Sequence, residues 1–333
     1  MKRLCTIICV VAVLVLTACI HDFPTLTDEG EEGIDPTLVE VSADVILNLP
    51  FDPLEFKAKP SVWGVDVYHR RFIVEVKRDG KTVVHRMVVM DKMTEDQYSL
   101  PIRLKLHAVE YTLAVWTDYV RSDTGADLYY NAEDMENISY TDPYVGNMDS
   151  RDCFYGTVVM DLRPYRNQWN AQVKVSVDMV RPMARYEIIA TDVEDFLKKR
   201  KAVNGIDVQE FFIRVFYDFY FPTAFDVWTG KPNDSRLDVT FTTPFDMPED
   251  GSQECVICSD YIFVGSTGSF VPITIELHDK DGDLISRVQG LKVPYERGLH
   301  TTVRIPFLTS NMGGGVDIDP DFEGEDDVDI DDL

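Results

Sequence analysis

Period-two alternation of apolar and polar residues is the feature that most constrains this chain. It dominates from Val41 onward, in stretches rich in β-branched and aromatic residues, and there is little sustained helical periodicity. Alternation puts every second side chain on one face of a strand, so each stretch can bury one face and leave the other in solvent. Strands are expected at Val41 to Leu49, Arg71 to Arg78, Thr82 to Met90, Ile102 to His107, Tyr111 to Asp118, Gly156 to Leu162 and Ala171 to Val177. Asp79-Gly80, between the second and third, predicts a type I′ hairpin, whose two central residues both need positive φ. The same style continues at Arg181 to Ala190, in one long aromatic strand from Phe211 to Phe221, and at Leu237 to Thr242, Tyr261 to Val264, Val271 to His278, Leu284 to Val293 and Thr301 to Phe307. Asp192 to Lys201 is the one clear helix, with Thr191 or Asp192 as its cap and acids preceding bases. With about seven strands on each side of residue 178, the expected fold is all-β, two tandem antiparallel β-sandwiches with one short peripheral helix. The expected domains are residues 41–178 and 179–312, with an acidic tail over 313–333.

Charge narrows the function. The chain carries 32 basic and 58 acidic residues, a net −26. Nonspecific nucleic-acid affinity comes from Lys and Arg displacing counterions from phosphate, and no stretch here is basic enough, so nucleic acid is excluded as a partner. Docking on anionic lipid through basic residues is disfavoured for the same reason. Hydrophobic residues are 45% of the chain, ordinary for a protein with a packed core. Much of the acidity sits in Asp317 to Leu333, which holds ten acids and no base. There Val316, Ile318, Phe322, Val328 and Ile330 are interspersed with acids, so the tail reads either as short alternating strands or as a solvated tail.

The N-terminus carries an address. Lys2 and Arg3 precede an apolar run from Ile7 to Leu16, then Thr17, Ala18 and Cys19, the pattern of a secretory signal. The run falls short of the roughly 20 apolar residues that span a bilayer. Leu16-Thr17-Ala18-Cys19 also resembles the lipobox of bacterial lipoproteins, which implies cleavage after residue 18 and acylation of Cys19, with chains such as palmitate. Each buried methylene adds about 0.8 kcal/mol, so several acyl chains anchor where one does not. Membrane attachment is therefore expected through the lipid alone. Residues 19–40, with Asp22, Asp28, Glu29, Glu31, Glu32 and Asp35, read as an acidic leash.

Signals for catalysis or metal binding are sparse. The six histidines, at 21, 69, 85, 107, 278 and 300, make no zincin pattern, and Gly265-Ser266-Thr267-Gly268 is no nucleophile elbow. No catalytic residue and no cofactor are expected. Cys153, Cys255 and Cys258 remain after the signal and the lipidated cysteine are set aside; Cys255 and Cys258 either form a local disulfide or stay as unpaired thiols, and on a regular strand they point to opposite faces. Asp279, Asp281 and Asp283 resemble the start of a calcium loop, but Gly290 stands where the bidentate glutamate is needed, and an Asp-Gly hairpin turn accounts for the same residues. The aromatic residues Phe211, Phe212, Phe216, Tyr217, Phe219, Tyr220, Phe221 and Phe225, with Trp228, suit either core packing or a sugar-stacking platform.

Three stretches together resemble the Bacteroidetes fimbrillin-like lipoproteins, the superfamily of fimbrial subunits and fimbrial anchors. They are Tyr111-Thr-Leu-Ala-Val-Trp116-Thr-Asp118-Tyr119, Arg151-Asp-Cys-Phe154-Tyr155-Gly156 and Val180-Arg181-Pro182-Met-Ala184-Arg185-Tyr186, followed by Leu299 to Val303 and Gly313 to Gly324. The resemblance implies two transthyretin-like β-sandwich domains behind a lipobox, in an outer-membrane, lipid-anchored protein at the cell surface or in a fimbrium. It implies partners too, other fimbrillin-like subunits joined by strand addition. Stalk subunits of that group are cut at an arginine to free a groove, yet no basic residue lies between Cys19 and Lys57, which favours an anchor, a tip or a nonpolymerising member. Val316, Ile318, Phe322, Val328 and Ile330 would be the anchors of a donated strand. The alternative function is a surface lipoprotein of the same fold that binds a glycan or host ligand.

Overall fold

The computed structural model describes residues 39–49, 68–90, 97–204, 211–246, 248, 251–265, 267–310 and 331–332. Alternation becomes strand along most of its length. In chain order the strands are β1 (Glu40–Asn48), β2 (Tyr68–Arg78), β3 (Lys81–Met90), β4 (Gln97–His107), β5 (Glu110–Arg121), β6 (Tyr130–Asn131), β7 (Ile138–Tyr140), β8 (Phe154–Asp161), β9 (Ala171–Asp178) and β10 (Met183–Ala190). After helix α1 (Val193–Asn204) come β11 (Phe211–Tyr217), β12 (Phe221–Asp226), β13 (Lys231–Arg236), β14 (Thr240–Phe245), β15 (Cys255–Phe263), β16 (Ser269–Asp279), β17 (Leu284–Tyr295), β18 (Leu299–Ile305) and β19 (Asp331–Asp332). The all-β class, with one α-helix among the described residues, is as expected.

The chain forms two compact units. The described residues of one fall within Met1–Val45, Ile102–Tyr111 and Met160–Val175. Most of a three-stranded sheet of order β4-β1-β9 lies there. Val41, Ala43 and Val45 are fully buried on one face of β1, and on the other Asp44 pairs with Arg103 at 2.9 Å. That is the alternation that the sequence shows.

The other unit spans Ile46–Pro101, Thr112–Val159 and Ser176–Leu333. Its sheets have the orders β3-β2-β5-β8, β13-β12-β7-β6, β14-β11-β16-β17 and β15-β10-β18-β19. The Asp79-Gly80 turn takes φ of 51° and 73°, as a type I′ hairpin requires, and joins β2 to β3. β10 pairs antiparallel with β15 and parallel with β18, with Arg185 opposite His300. One core gathers Ile213, Val215, Ile273, Ile275, Leu277 and Ile188; a second gathers Ile73, Trp116, Tyr130, Phe225 and Phe263.

Three local expectations need correction. The aromatic run from Phe211 to Phe221 is two strands, because the chain turns at residues 218–220 and passes from the β11 sheet to the β12 sheet. Asp218 marks the corner: its amide donates to the Pro272 carbonyl at 3.0 Å and its carboxylate accepts from the Thr274 hydroxyl at 2.9 Å. Residue periodicity does not register a corner between two alternating runs. The strand expected at Leu237 begins instead at Thr240, since Asp238 takes a φ of 59° that no strand tolerates. Cys255 and Cys258 do not face opposite ways. Ile188 is opposite Cys258 and Ile189 opposite Val256, so Ile257 is an extra residue that resets the alternation. Both cysteines then pack against the same core, neither of them in a disulfide.

Helix α1 buries Val193 and Phe196. The Asp192 carboxylate, one of two candidate caps, accepts from the Leu308 amide at 3.0 Å and the Thr309 amide at 2.7 Å, tying the helix start to the end of the body.

Candidate functional site

The lipidation candidate Cys19 and the candidate donor-strand anchors Val316, Ile318, Phe322, Val328 and Ile330 lie outside the described residues. Asp279, Asp281 and Asp283 sit at the β16–β17 turn. There the Asp279 carboxylate accepts from the amides of Asp281, at 3.0 Å, and Asp283, at 2.9 Å, while Asp281 pairs with Lys280. This is how an Asx-type turn satisfies its own backbone. Among the described residues no three His, Cys, Asp or Glu side chains are grouped to hold a metal ion.

The aromatic set divides. Phe211, Tyr217, Phe221 and Phe225 are core; Phe212 stacks on His278 with ring centres 5.2 Å apart; Trp228 lies under the Lys77 ammonium. Phe219 and Tyr220 alone in the set are largely exposed, edge to face at the β11–β12 corner. No single face presents them together.

Where chemistry-bearing side chains do converge, they are buried. Arg151 forms an ion pair with Asp260, both essentially inaccessible. The hydroxyls of Tyr144 and Tyr217 donate to Asp260 Oδ2 at 2.7 and 2.6 Å, the Tyr261 amide donates to Oδ1 at 2.8 Å, and Tyr186 joins through Tyr217 at 2.9 Å. The guanidinium lies 4.6 Å from the ring centres of both Tyr140 and Tyr144. Burial opposes the charge on Arg151, but Asp260 and the tyrosine oxygens together hold its pKa well above the ordinary value. Burial also pushes Tyr144, Tyr186 and Tyr217 well above the usual phenol value, so they stay protonated donors. The cleft beside them, lined by Tyr129, Tyr140, Thr141, Tyr144, Val145 and Arg151, has no room for a water-sized guest. A packed, water-excluding network of this kind orients backbone segments; it offers no surface to a substrate.

The sheet edges differ in how they are protected. An edge strand shows unpaired amides and carbonyls, and proteins blunt it with proline, glycine bulges or charge. β4 carries Pro101, β13 carries Pro232, β14 carries Pro244, and β17 carries both Gly290 and Pro294. β3 is an edge of ten residues with no proline or glycine. Its partner β2 is buried on both faces from Arg71 to Val76, whereas β3 reaches past that cover: Val83, Met87 and Val89 are 48%, 50% and 42% exposed.

The family profile of the Family of unknown function (DUF6562) matches residues 36–331. The chain belongs to this family. No curated protein matches it. Among solved structures, the DUF6562 chain is similar to the fimbrial anchor protein Mfa2 from Porphyromonas gingivalis, at 12% identity and a TM-score of 0.39, over 79% of this chain and 90% of that one. It is similar also to a fimbrial assembly protein from Parabacteroides distasonis, at 11% identity and a TM-score of 0.36, over 80% and 90%. A third is the tip fimbrial protein Mfa3 from P. gingivalis with C-terminal truncation, at 10% identity and a TM-score of 0.37, over 80% and 94%.

In this DUF6562 chain the motif stretches read from the sequence supply the buried polar framework. Arg151 and Tyr186 belong to the Asp260 network. Asp152 takes both Arg181 Nε and Nη2, at 2.9 and 3.1 Å. Asp118 takes Arg71 Nε and Nη2, at 2.8 and 2.5 Å, and Trp116 sits edge-on to Tyr130. Tyr155 accepts from Arg297 and bridges to Val180. Of the partners that complete the network, Tyr217 shows in the sequence only as one of the aromatic set, and Asp260 carries no sequence signal, since it lies in an ordinary strand 109 positions from Arg151.

Proposed function

We propose that this chain is a noncatalytic, lipid-anchored protein of the outer membrane surface that joins a fimbria-like assembly by β-strand addition. The observation that carries the reading is the β3 edge, a ten-residue strand without proline or glycine and with three apolar side chains in solvent. Such an edge offers main-chain hydrogen bonds for affinity and alternate side chains for register, and it invites an incoming strand unless one is supplied. The lipobox supports the location: acylated Cys19, an acidic leash, then two β-sandwich domains held off the membrane. Other subunits of the same class would be the partners, and the tail anchors Val316, Ile318, Phe322, Val328 and Ile330 would form the donated strand.

The test is to purify tagged full-length protein gently from native outer membranes and run it unboiled on a denaturing gel, with mass spectrometry of each band. A heat-labile ladder containing sibling subunits is the expected result; a lone monomer would refute assembly by strand addition. In parallel, an alkyne fatty acid should label the wild type and fail to label Cys19→Ala.

A second reading rests on Phe219 and Tyr220, an exposed aromatic pair with ring centres 5.4 Å apart. Aromatic faces of this kind stack on sugars, so a surface glycan is the alternative ligand. A glycan array bound by the wild type and not by Phe219→Ala/Tyr220→Ala would support it, and an empty array would reject it.

A further inference from the structure

The loop between β8 and β9 is short, tightly built and tipped by a tryptophan in solvent. The carbonyls of Leu162, Arg163, Tyr165 and Gln168 accept in turn from the amides of Tyr165 (3.0 Å), Arg166 (3.2 Å), Gln168 (2.8 Å) and Ala171 (3.3 Å), so the loop is a run of consecutive turns. The Asp161 carboxylate accepts from the Arg163 amide at 3.0 Å where the loop begins, and Asn170 takes a φ of 58° where it ends. Trp169 nonetheless stands 62% exposed. A fold that orders the backbone under an indole and leaves the ring uncovered forgoes a large apolar burial. No acid occurs from Leu162 to Val177, in a chain that holds 58.

This loop lies at the end of its unit where the chain enters. The Ala108 amide donates to the Val39 carbonyl at 2.9 Å and the Leu162 amide to the Val109 carbonyl at 3.1 Å, so the β4–β5 turn joins the point of entry to the start of the loop. Arg163 Nη2 closes the same junction on Glu110 at 2.7 Å. All of these residues belong to one compact unit. Residues 19–38 precede Val39. That length reaches at most about 70 Å fully extended, and a coil of the same length averages about 25 Å between its ends. With acyl chains on Cys19, the bilayer that holds them is the surface always within reach of this end, and the loop is among the first parts of the body to meet it.

We infer that the 162–170 loop rests on the bilayer that takes up the acyl chains of Cys19, with the Trp169 indole in the phospholipid headgroup region. This deepens the lipid-anchor reading and rests on it. Indole is apolar over most of its surface and carries one N–H donor, the combination that concentrates tryptophan at membrane–water interfaces. The ring leads the contact and charge does not: Arg163 is already held by Asp161 and Glu110, and a net charge of −26 works against docking on anionic lipid. One indole binds a free protein to lipid weakly, but a tether makes the contact intramolecular, at an effective concentration on the order of millimolar. The acyl chains would supply the attachment and Trp169 the orientation, standing this unit on the membrane by the end at which β1 starts.

The experiment reconstitutes the full-length acylated protein into phosphatidylcholine vesicles whose acyl chains are brominated near the headgroup, and compares tryptophan fluorescence with that in unbrominated vesicles. Bromine should remove up to about a quarter of the wild-type emission, one tryptophan of four, and none from Trp169→Ala, which is altered only at an exposed position. The quenching should survive hundreds of millimolar salt, because salt does not screen an interfacial ring. A vesicle-bound wild type that is not quenched, or is quenched as strongly in Trp169→Ala, would overturn the inference while leaving the lipid anchor intact. Quenching that salt abolishes would overturn a contact led by the ring. Sedimentation of Cys19→Ala protein without vesicles tests the other occupant: a dimer that adding Trp169→Ala abolishes would assign the loop to a second copy and not to a bilayer. A wild type that takes up no alkyne fatty acid and does not float with vesicles would refute the lipid-anchor reading and this inference with it.

Discussion

Replacing Asp260 by asparagine tests whether the buried network holds the body together. The substitution keeps the shape of the side chain and removes its charge. Arg151, essentially inaccessible, is then left without its counter-ion, and the hydroxyls of Tyr144 and Tyr217 lose a charged acceptor. Hydrogen bonds to charged groups contribute about 1.5–3 kcal/mol each, but they share one acceptor here and do not add. Removing one partner of a buried ion pair costs about 3–5 kcal/mol, and that figure bounds the effect. A domain has only about 5–15 kcal/mol in total, so the loss is a large fraction of its stability. Urea unfolding followed by tryptophan fluorescence should show the midpoint falling by about 1 M or more, with the slope unchanged. A companion variant, Arg151→Met/Asp260→Leu with Tyr144→Phe and Tyr217→Phe, removes the polar groups together and should be more stable than Asp260→Asn, because no charge is then stranded. A midpoint for Asp260→Asn within about 0.3 M of wild type, or a companion variant less stable than the single, would refute the argument.

Gly156→Ala should lower the melting temperature, since an added Cβ would stand 2.6 Å from the Asp178 carbonyl oxygen and 2.7 Å from Val177, and overpacking against backbone costs about 1–3 kcal/mol; unchanged melting would show that β8 can shift. Burial pushes the Cys255 thiol up to about 11, so iodoacetamide at pH 8 should modify it far more slowly than a free thiol of the unfolded chain. The same shift makes the folded state hold its proton more tightly, so this contribution to stability is complete below about pH 8.5 and is lost as pH rises toward 11; Cys255→Ser should flatten that part of the curve. Calcium at millimolar concentration should leave the melting temperature where it was, because Asp279 already accepts two turn amides; a rise of several degrees abolished by Asp279→Asn would establish a site there.

Much of the fold was legible because its signals are local. Alternation in Arg71 to Arg78 and Thr82 to Met90, with Asp79-Gly80 between them, specifies a hairpin from neighbouring residues alone, and β2, β3 and their turn follow. The helix at Val193–Asn204 was legible for the same reason, by its acids before bases. β13, with the sequence Lys-Pro-Asn-Asp-Ser-Arg, carries no apolar period and was invisible: it is a strand because β12 pairs with it. The bulge at Ile257 was equally hidden, since it exists only as a mismatch with β10.

The candidate site divides along the same line. Residues such as Arg151, Asp152, Trp116 and Tyr186 could be singled out in the sequence, but their role could not, because each is defined by a partner tens to more than a hundred positions away. A charged residue in an alternating strand reads the same whether it faces solvent or an ion pair. Burial decides between them, and burial depends on which sheet covers which. Likewise the sequence by itself determined that β3 is apolar and basic, while only the tertiary structure left it at an edge. The side chains of one strand set its chemistry, but its freedom to pair is set by the strands that do not lie beside it.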